Sequence, residues 1–373
     1  MSRDEADDPD PSGKRFRVGR GPLLRDLGEF GVIDLIRRRY GGGALPGELT
    51  IGDDAAVVRV PRGRAVLSTD MLLSGTHFSL DYFQPVEVGF RALSANLSDL
   101  AAMGATPVCY LAALAAPGNT PVATVDGIFR GMTAAAAPCG MRLVGGDTCR
   151  GSRLVLCLTV VGAVERGRPV TRFGARPGDL LYVTGSPGWS HLGLRLLRDG
   201  RPPRPAGWRR EAVRRHLRPE ARWREGRIAA ASGAVAAMID LSDGVLPDLS
   251  HLLERGGLGA TLSEASFPLS PAFRKGAATL GIDPLEAFLA GGEDYELLMA
   301  VRPDRRGGFL RAVRAFPAGA TQVGVVTAEP GIRVRRPGGS LLCGRELPRG
   351  FAHFPPASGG TAWKTRRAKR ATR

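Results

Sequence analysis

The chain has 373 residues, 43% hydrophobic and 24% charged, which suits one large or two smaller buried cores and excludes a wholly disordered chain. Its five cysteines are odd in number and form no CxxC pair, which argues against a disulfide framework or a cysteine zinc site. The net charge is +16, but residues 201–227 hold ten Arg against three Glu and Thr361 to Arg373 hold six basic residues and no acid, so the remainder is close to neutral.

That balance raises nucleic acid as a partner. No aromatic pattern for stacking bases is interleaved with the charge. Nearly all the basic residues are Arg, in a chain rich in Ala, Gly and Pro. Composition is therefore the expected origin of the charge, and nucleic acid is not the expected partner. The start, MSRDEADDPD, is acidic with no apolar stretch behind it, so no secretory signal is expected. The stretch Leu154 to Val164 is interrupted by Thr159 and Gly162 and is too short to span a bilayer. A cytoplasmic protein without membrane contact is the expectation.

In chain order, residues 1–20 are polar, with five acids and five bases, and read as a disordered extension. Leu23, Leu27, Phe30, Ile33 and Ile36 recur at helical spacing up to Gly41. Ala55 to Val60 and Ala65 to Thr69 read as a strand pair around Pro61 and Gly63. Pro85 opens a helix that Gly104 closes, with Asn96 and Asp99 on one face. A strand follows at Val108 to Ala115, a helix at Pro121 to Ala137, a strand from Met141 into GGDT, and a strand at Leu154 to Val164. The second half restarts with a strand at Asp179 to Thr184, then helices at Ser190 to Arg198 and within the Arg-rich segment. A strand at Val235 to Ile239 delivers DLSDG to a helix that ends near Arg255. Beyond it come a strand at Ala260 to Leu262, a helix at Pro271 to Leu280, and further alternation to about Val334. The pattern predicts an α/β protein of two lobes, with α+β character in the first. The expected domains are 21–166 and 167–355, with a basic disordered tail at 356–373.

Five motifs set carboxylates beside small or hydroxyl residues: GDD at Gly52 to Asp54, STD at Ser68 to Asp70, NLSD ending at Asp99, GGDT at Gly145 to Thr148, and DLSDG at Asp240 to Gly244. Each alone has an ordinary reading as a turn or a cap. Asp99 is the exception, because a carboxylate amid Leu, Ala and Met in a helix is costly unless it meets a cation or hydrogen bonds. Together the motifs suit Mg2+, which binds oxygen ligands and shares its shell with substrate phosphates. The helix start after DLSDG offers a place for a phosphate. No GxxxxGK[ST] and no kinase motif set occurs, so a nucleotide binds by another route. Gly291 to Tyr295, GGEDY, joins a flexible backbone, two carboxylates and an aromatic, which suits a cationic, ring-bearing ligand. His77 is either a substrate contact or a satisfied histidine. Of the others, His191, His216, His251 and His353 lie farther from the acidic motifs in sequence, and no Cys adjoins a His, so no phosphoenzyme is expected.

IGDDAAVV, STDML, NLSDLAAMGA, GGDT, IDLSDG and GGEDYEL, in that order, resemble the thiamine-monophosphate kinases. These belong to the superfamily of aminoimidazole ribonucleotide synthetase, selenophosphate synthetase and a hydrogenase maturation protein. The resemblance implies ATP-dependent phosphorylation of thiamine monophosphate with several Mg2+ ions, by a homodimer whose N-terminal lobes form a barrel beside α/β C-terminal lobes. It implies metal ligation by Asp54, Ser68, Thr69, Asp70, Asp99, Asp147, Asp240 and Asp243, with Asp70, Asp99 and Asp147 central to catalysis. It implies ATP contacts from Gly146, Asp147, Arg172 and Ser242, and acceptor contacts from His77, Glu293 and Phe351. The reactive terminal cysteines of two superfamily members have no counterpart, since the first Cys here is Cys109 and the chain ends KRATR. Aminoimidazole ribonucleotide synthetase and a basic nucleic-acid-binding protein are the alternatives.

Overall fold

A computed structural model describes residues 21–51, 55–60, 63–164, 167–200 and 205–348. The N-terminal extension, the tail, Asp54, Phe351 and His353 lie outside the described residues.

Helix α1 (Leu24–Tyr40) fits its apolar spacing, but Gly28 breaks it with φ 67°, a left-handed conformation open to glycine. The break rotates the periodicity, and Phe30, expected inward, is 82% exposed. The expected strand pair does not form. Strand β1 (Arg64–Leu73) runs longer than its apolar stretch, while Ala55 to Val60 makes only the isolated bridge of Val57 to Leu49. Ala56 and Val58 pack instead on Cys109, Val144 and Val161.

Helix α2 (Pro85–Ala102) starts at Pro85 as the sequence predicts, with Glu87 closing a capping box. Strand β2 (Thr106–Ala116), helix α3 (Val122–Ala136), strand β3 (Arg142–Arg150) and strand β4 (Val155–Val164) complete the first lobe. The sheet order is β1-β4-β2-β3, with β2 and β3 parallel and the other pairs antiparallel. Helices α2 and α3 come into backbone contact, because a Cβ at Gly89 or Gly131 would overlap the Ile128 or Val86 carbonyl. That contact buries α2 on almost every side, polar residues included.

The second lobe contains β5 (Leu180–Thr184), α4 (Trp189–Arg198), α5 (Gly207–Leu217), α6 (Trp223–Ala231), β6 (Val235–Asp240), α7 (Val245–Glu254) and β7 (Gly259–Ser263). It continues through α8 (Pro271–Thr279), α9 (Pro284–Ala290), β8 (Leu297–Val301), α10 (Arg306–Val313), β9 (Ala320–Thr327), β10 (Gly331–Arg335) and β11 (Leu341–Cys343). Seven strands order as β11-β10-β7-β9-β5-β8-β6, with only β7 and β10 parallel. Helix α9, which the sequence reading did not set out, is short and capped by Asp283, whose side chain accepts from the Leu285 amide.

The Arg-rich segment is largely engaged within its own lobe. Arg214 pairs with Glu211 and Glu220, Arg215 with Glu211 and Glu296, and Arg222 with Glu296. Glu296 is fully buried and also accepts from Thr184 Oγ1 at 2.6 Å. Among the described residues no helix is long and apolar enough to cross a membrane.

Candidate active site

Strand alternation decides what β1 offers. Ser68 and Asp70 face α2, while Thr69 points to the open side of the sheet, where its hydroxyl donates to the Leu158 carbonyl at 2.9 Å. The side chain of Thr69 is therefore turned away from those of its two neighbours.

On α2, one turn brings Asn96 and Asp99 to β1. Asn96 Oδ1 accepts the Asp70 amide at 3.2 Å, and its Nδ2 donates to the Ala92 carbonyl at 3.0 Å. Asp99 accepts a short hydrogen bond from Ser68 Oγ. Strand β6 ends at Asp240, which adds a third carboxylate from the second lobe. Burial raises all three acids, and the charge of Asp99 adds to it for Asp70 and Asp240. Asp70 is pushed up to about 6 by burial and then by the charge of Asp99. Asp99 is raised by burial, against the Ser68 hydrogen bond and the charge of Arg172. Asp240 is raised well above the carboxylate range by burial, then by Asp99 and Asp70. Carboxylates crowded in this way are stabilised by a cation among them. Their chemistry therefore fits Mg2+. Among the described residues no group of three or more His, Cys, Asp or Glu side chains is placed to hold a metal ion.

Beyond Asp240, the turn to α7 is built by Asp248. Its Oδ2 accepts the amides of Ser242, Asp243 and Gly244 at 3.0, 3.1 and 3.2 Å. The amides of the turn that precedes α7 are thus taken by a carboxylate from the helix's own first turn. Burial pushes Asp248 up to about 7 against those three hydrogen bonds. The sequence signal was present, since Asp248 lies in the first turn of α7, where acids cap.

The GGEDYE segment, residues 291–296, lies against this turn. The Glu293 amide donates to the Ser242 carbonyl at 2.6 Å and the Tyr295 amide to the Leu241 carbonyl at 2.9 Å. A Cβ on Gly292 would meet the Ser242 carbonyl oxygen at 2.6 Å, so glycine is needed for the approach. Glu293 and Tyr295 have φ of 67° and 54°, which costs about 1–3 kcal/mol each for a non-glycine residue. Their neighbours hold them there. Asp294 accepts the Gly188 and Ser190 amides at 2.6 and 2.9 Å at the start of α4, and Glu296 takes Arg222 through two hydrogen bonds of 2.7 and 2.6 Å. Glu293 pairs with Arg91 of α2.

Arg172 lies within electrostatic reach of Asp99. His77 Nδ1 accepts the Leu73 amide at 3.0 Å, in the turn that follows β1. Gly146 and Asp147 stand on β3, at the sheet edge opposite β1, with β4 and β2 between. Asp147 is exposed and accepts the Thr148 amide at 2.8 Å. Within one chain, then, Ser68, Asp70, Asp99 and Asp240 meet, with Arg172 and the Ser242–Asp243 turn beside them, and Asp147 stands apart. Ser190 Oγ lies 3.0 Å from His216 Nδ1, a pairing the sequence did not reveal. Both are buried, and burial holds the imidazole well below its ordinary range, so the pair is closed to a polyphosphate.

Residues 52–164 match the family model for AIR synthase related protein, N-terminal domain, and residues 176–336 that for the C-terminal domain. The chain is similar to the thiamine-monophosphate kinase of Corynebacterium glutamicum, at 38% identity over 78% of this chain and 86% of that one. It is similar to the thiamine-monophosphate kinase of Escherichia coli K12, at 37% identity over 81% and 91%. Among solved structures it is similar to AaThiL complexed with AMPPCP and TMP, with a TM-score of 0.69 and 32% identity over 90% of this chain and all of that one.

Proposed function

The chain belongs to the AIR synthase related proteins and, among them, to the thiamine-monophosphate kinase family, and we propose on that premise that it phosphorylates thiamine monophosphate to thiamine diphosphate with ATP. This is a step of thiamine diphosphate biosynthesis, which we assign to the cytoplasm. The observation that carries the reading is the convergence of Asp70, Asp99 and Asp240, from both lobes, where burial raises each and the charge of Asp99 raises the other two. A relative bound to AMPPCP, an ATP analogue, and to TMP supports two phosphate ligands side by side.

In this reading Asp54, Ser68, Thr69, Asp70, Asp99, Asp147, Asp240 and Asp243 hold several Mg2+ ions, and Asp54, Thr69 and Asp147 rest on the motif match alone. Bound Mg2+ supplies charge neutralisation to the two phosphate ligands. Gly146, Asp147, Arg172 and Ser242 contact ATP, with the Arg172 guanidinium bringing positive charge to the edge of the carboxylate group. The acceptor's cationic rings meet His77, Glu293 and Phe351. Transfer is direct and in line, since alignment and charge neutralisation carry phosphoryl transfer and the Ser190–His216 pair is buried.

The chain works as a homodimer in this reading. The open face of the first sheet carries Leu67 and Met71, 65% and 54% exposed, and a second copy of the sheet would cover them. The function is tested by ATP consumption with thiamine monophosphate and formylglycinamidine ribonucleotide as parallel acceptors. Turnover with the first alone is expected, and turnover with the second alone would overturn the assignment.

A further inference from the structure

Arg91 is the largest fully buried side chain in the described residues, set in the middle of α2 among Val88, Ala92 and Leu93. An arginine is rarely so buried unless its donors are satisfied. Its Nη1 donates to the His216 carbonyl of α5 at 2.5 Å, while its Nη2 makes no regular hydrogen bond and is met by the charge of Glu293 Oε1. Its guanidinium lies over the rings of Phe83 and Tyr295, at 5.7 and 6.0 Å from their centroids. One side chain of the first lobe thus grips three residues of the second, and one of them is the acidic residue assigned to the acceptor.

A purely structural staple would bury both ends, as Arg222 and Glu296 do at 8% and 0% side-chain exposure. Here only the arginine is sealed, at 1%, while the Glu293 side chain is 32% exposed. Glu293 also stands at a left-handed φ that an ordinary ion pair does not need. Its backbone amide is fixed on the Ser242 carbonyl at 2.6 Å, so Arg91 has only the side chain left to orient. The planar fork of arginine can hold a carbonyl and a carboxylate at once in fixed geometry, whereas a lysine ammonium on its flexible stem cannot.

We propose that Arg91 is a positioning residue for the acceptor, fixing the Glu293 carboxylate where it receives the cationic rings of thiamine monophosphate. This rests on the acceptor assigned above. Arg91 reaches the substrate only through Glu293, so its effect falls on the acceptor and not on ATP.

Steady-state kinetics on wild type, Arg91→Lys, Glu293→Gln and the double variant test this. Arg91→Lys is expected to raise KM for thiamine monophosphate about tenfold, the worth of one close contact between buried charged groups, with KM for ATP unchanged. In the Glu293→Gln background the same change is expected to add almost nothing. Arg91→Met combined with Glu293→Gln leaves no unpaired buried charge, so it keeps the comparison available where Arg91→Lys does not fold. Its KM for the acceptor is expected to equal that of Glu293→Gln alone. Additive effects, equal rises in both KM values, or a loss of thermal stability with both KM values unchanged would overturn the proposal. A wild type that ignores thiamine monophosphate would overturn the assigned function, and the proposal with it.

Discussion

Asp99 and Asp240 show how one charge is made useful by its surroundings. Burial raises both and Asp240 also feels the charge of Asp99, so a cation beside them would favour their ionised forms. Asp99→Asn and Asp240→Asn are expected to keep the fold, seen by circular dichroism, and to lose at least about a hundredfold in turnover at saturating Mg2+, as when an oxyanion-stabilising donor is removed. Near-normal turnover in both would remove them from the site. Glu48 shows the opposite shift. Arg142, then the Arg59 and Leu45 amides, hold it down to about 2 from the ordinary 4.5. A lowered carboxylate contributes stability above 4.5 and loses it as pH falls toward 2. The denaturation midpoint of Glu48→Gln should therefore lie below wild type at neutral pH, with the gap narrowing between pH 4.5 and 2. A gap constant over that window would contradict the pairing. At this scale Asp99 was legible in the sequence, because a carboxylate inside an apolar helix demands a reason. Arg91 was not, because an isolated arginine in a helix ordinarily reaches solvent. Only the packing of α2 against both lobes makes it costly.

Among elements, α2 organises the site, and its limits were legible because Pro85 and Gly104 punctuate a clean period. The roles within β1 were readable in part: the STD motif was seen, but its parity, which sends Thr69 to the opposite face, was not used. Ala55 to Val60 has strand composition and no ladder, since a strand needs a partner and local sequence does not name one. The lobes are joined where α2 meets α6. A Cβ at Gly226 would meet the Ala101 carbonyl carbon at 2.8 Å. Within a helix, Gly→Ala ordinarily gains about 1 kcal/mol. Overpacking against backbone costs about 1–3 kcal/mol. The second effect should prevail, so Gly226→Ala is expected to lower Tm, and an increase would show that α2 and α6 move apart freely.

For the whole molecule, the two lobes were legible from alternating elements, whereas the mostly antiparallel pairing of the second sheet was not, because pairing is set by long-range contacts. The acidic motifs stand out one by one in the sequence, but only the fold brings Asp70 and Asp99 to Asp240 across the lobe boundary. The open sheet face makes a further demand on the assembly. Leu67→Glu with Met71→Glu is expected to convert a dimer to a monomer in sedimentation, and a wild type that already sediments as a monomer would contradict that interface. In the proposed reaction the carboxylate site passes the terminal phosphoryl of ATP straight to thiamine monophosphate. The most direct test supplies ATP labelled at the γ-phosphate, Mg2+ and thiamine monophosphate for a single turnover, then separates protein, nucleotide and thiamine species. Label is expected in the terminal phosphate of thiamine diphosphate and none on the protein. Label held by the protein and later passed on, or released only as inorganic phosphate, would contradict it.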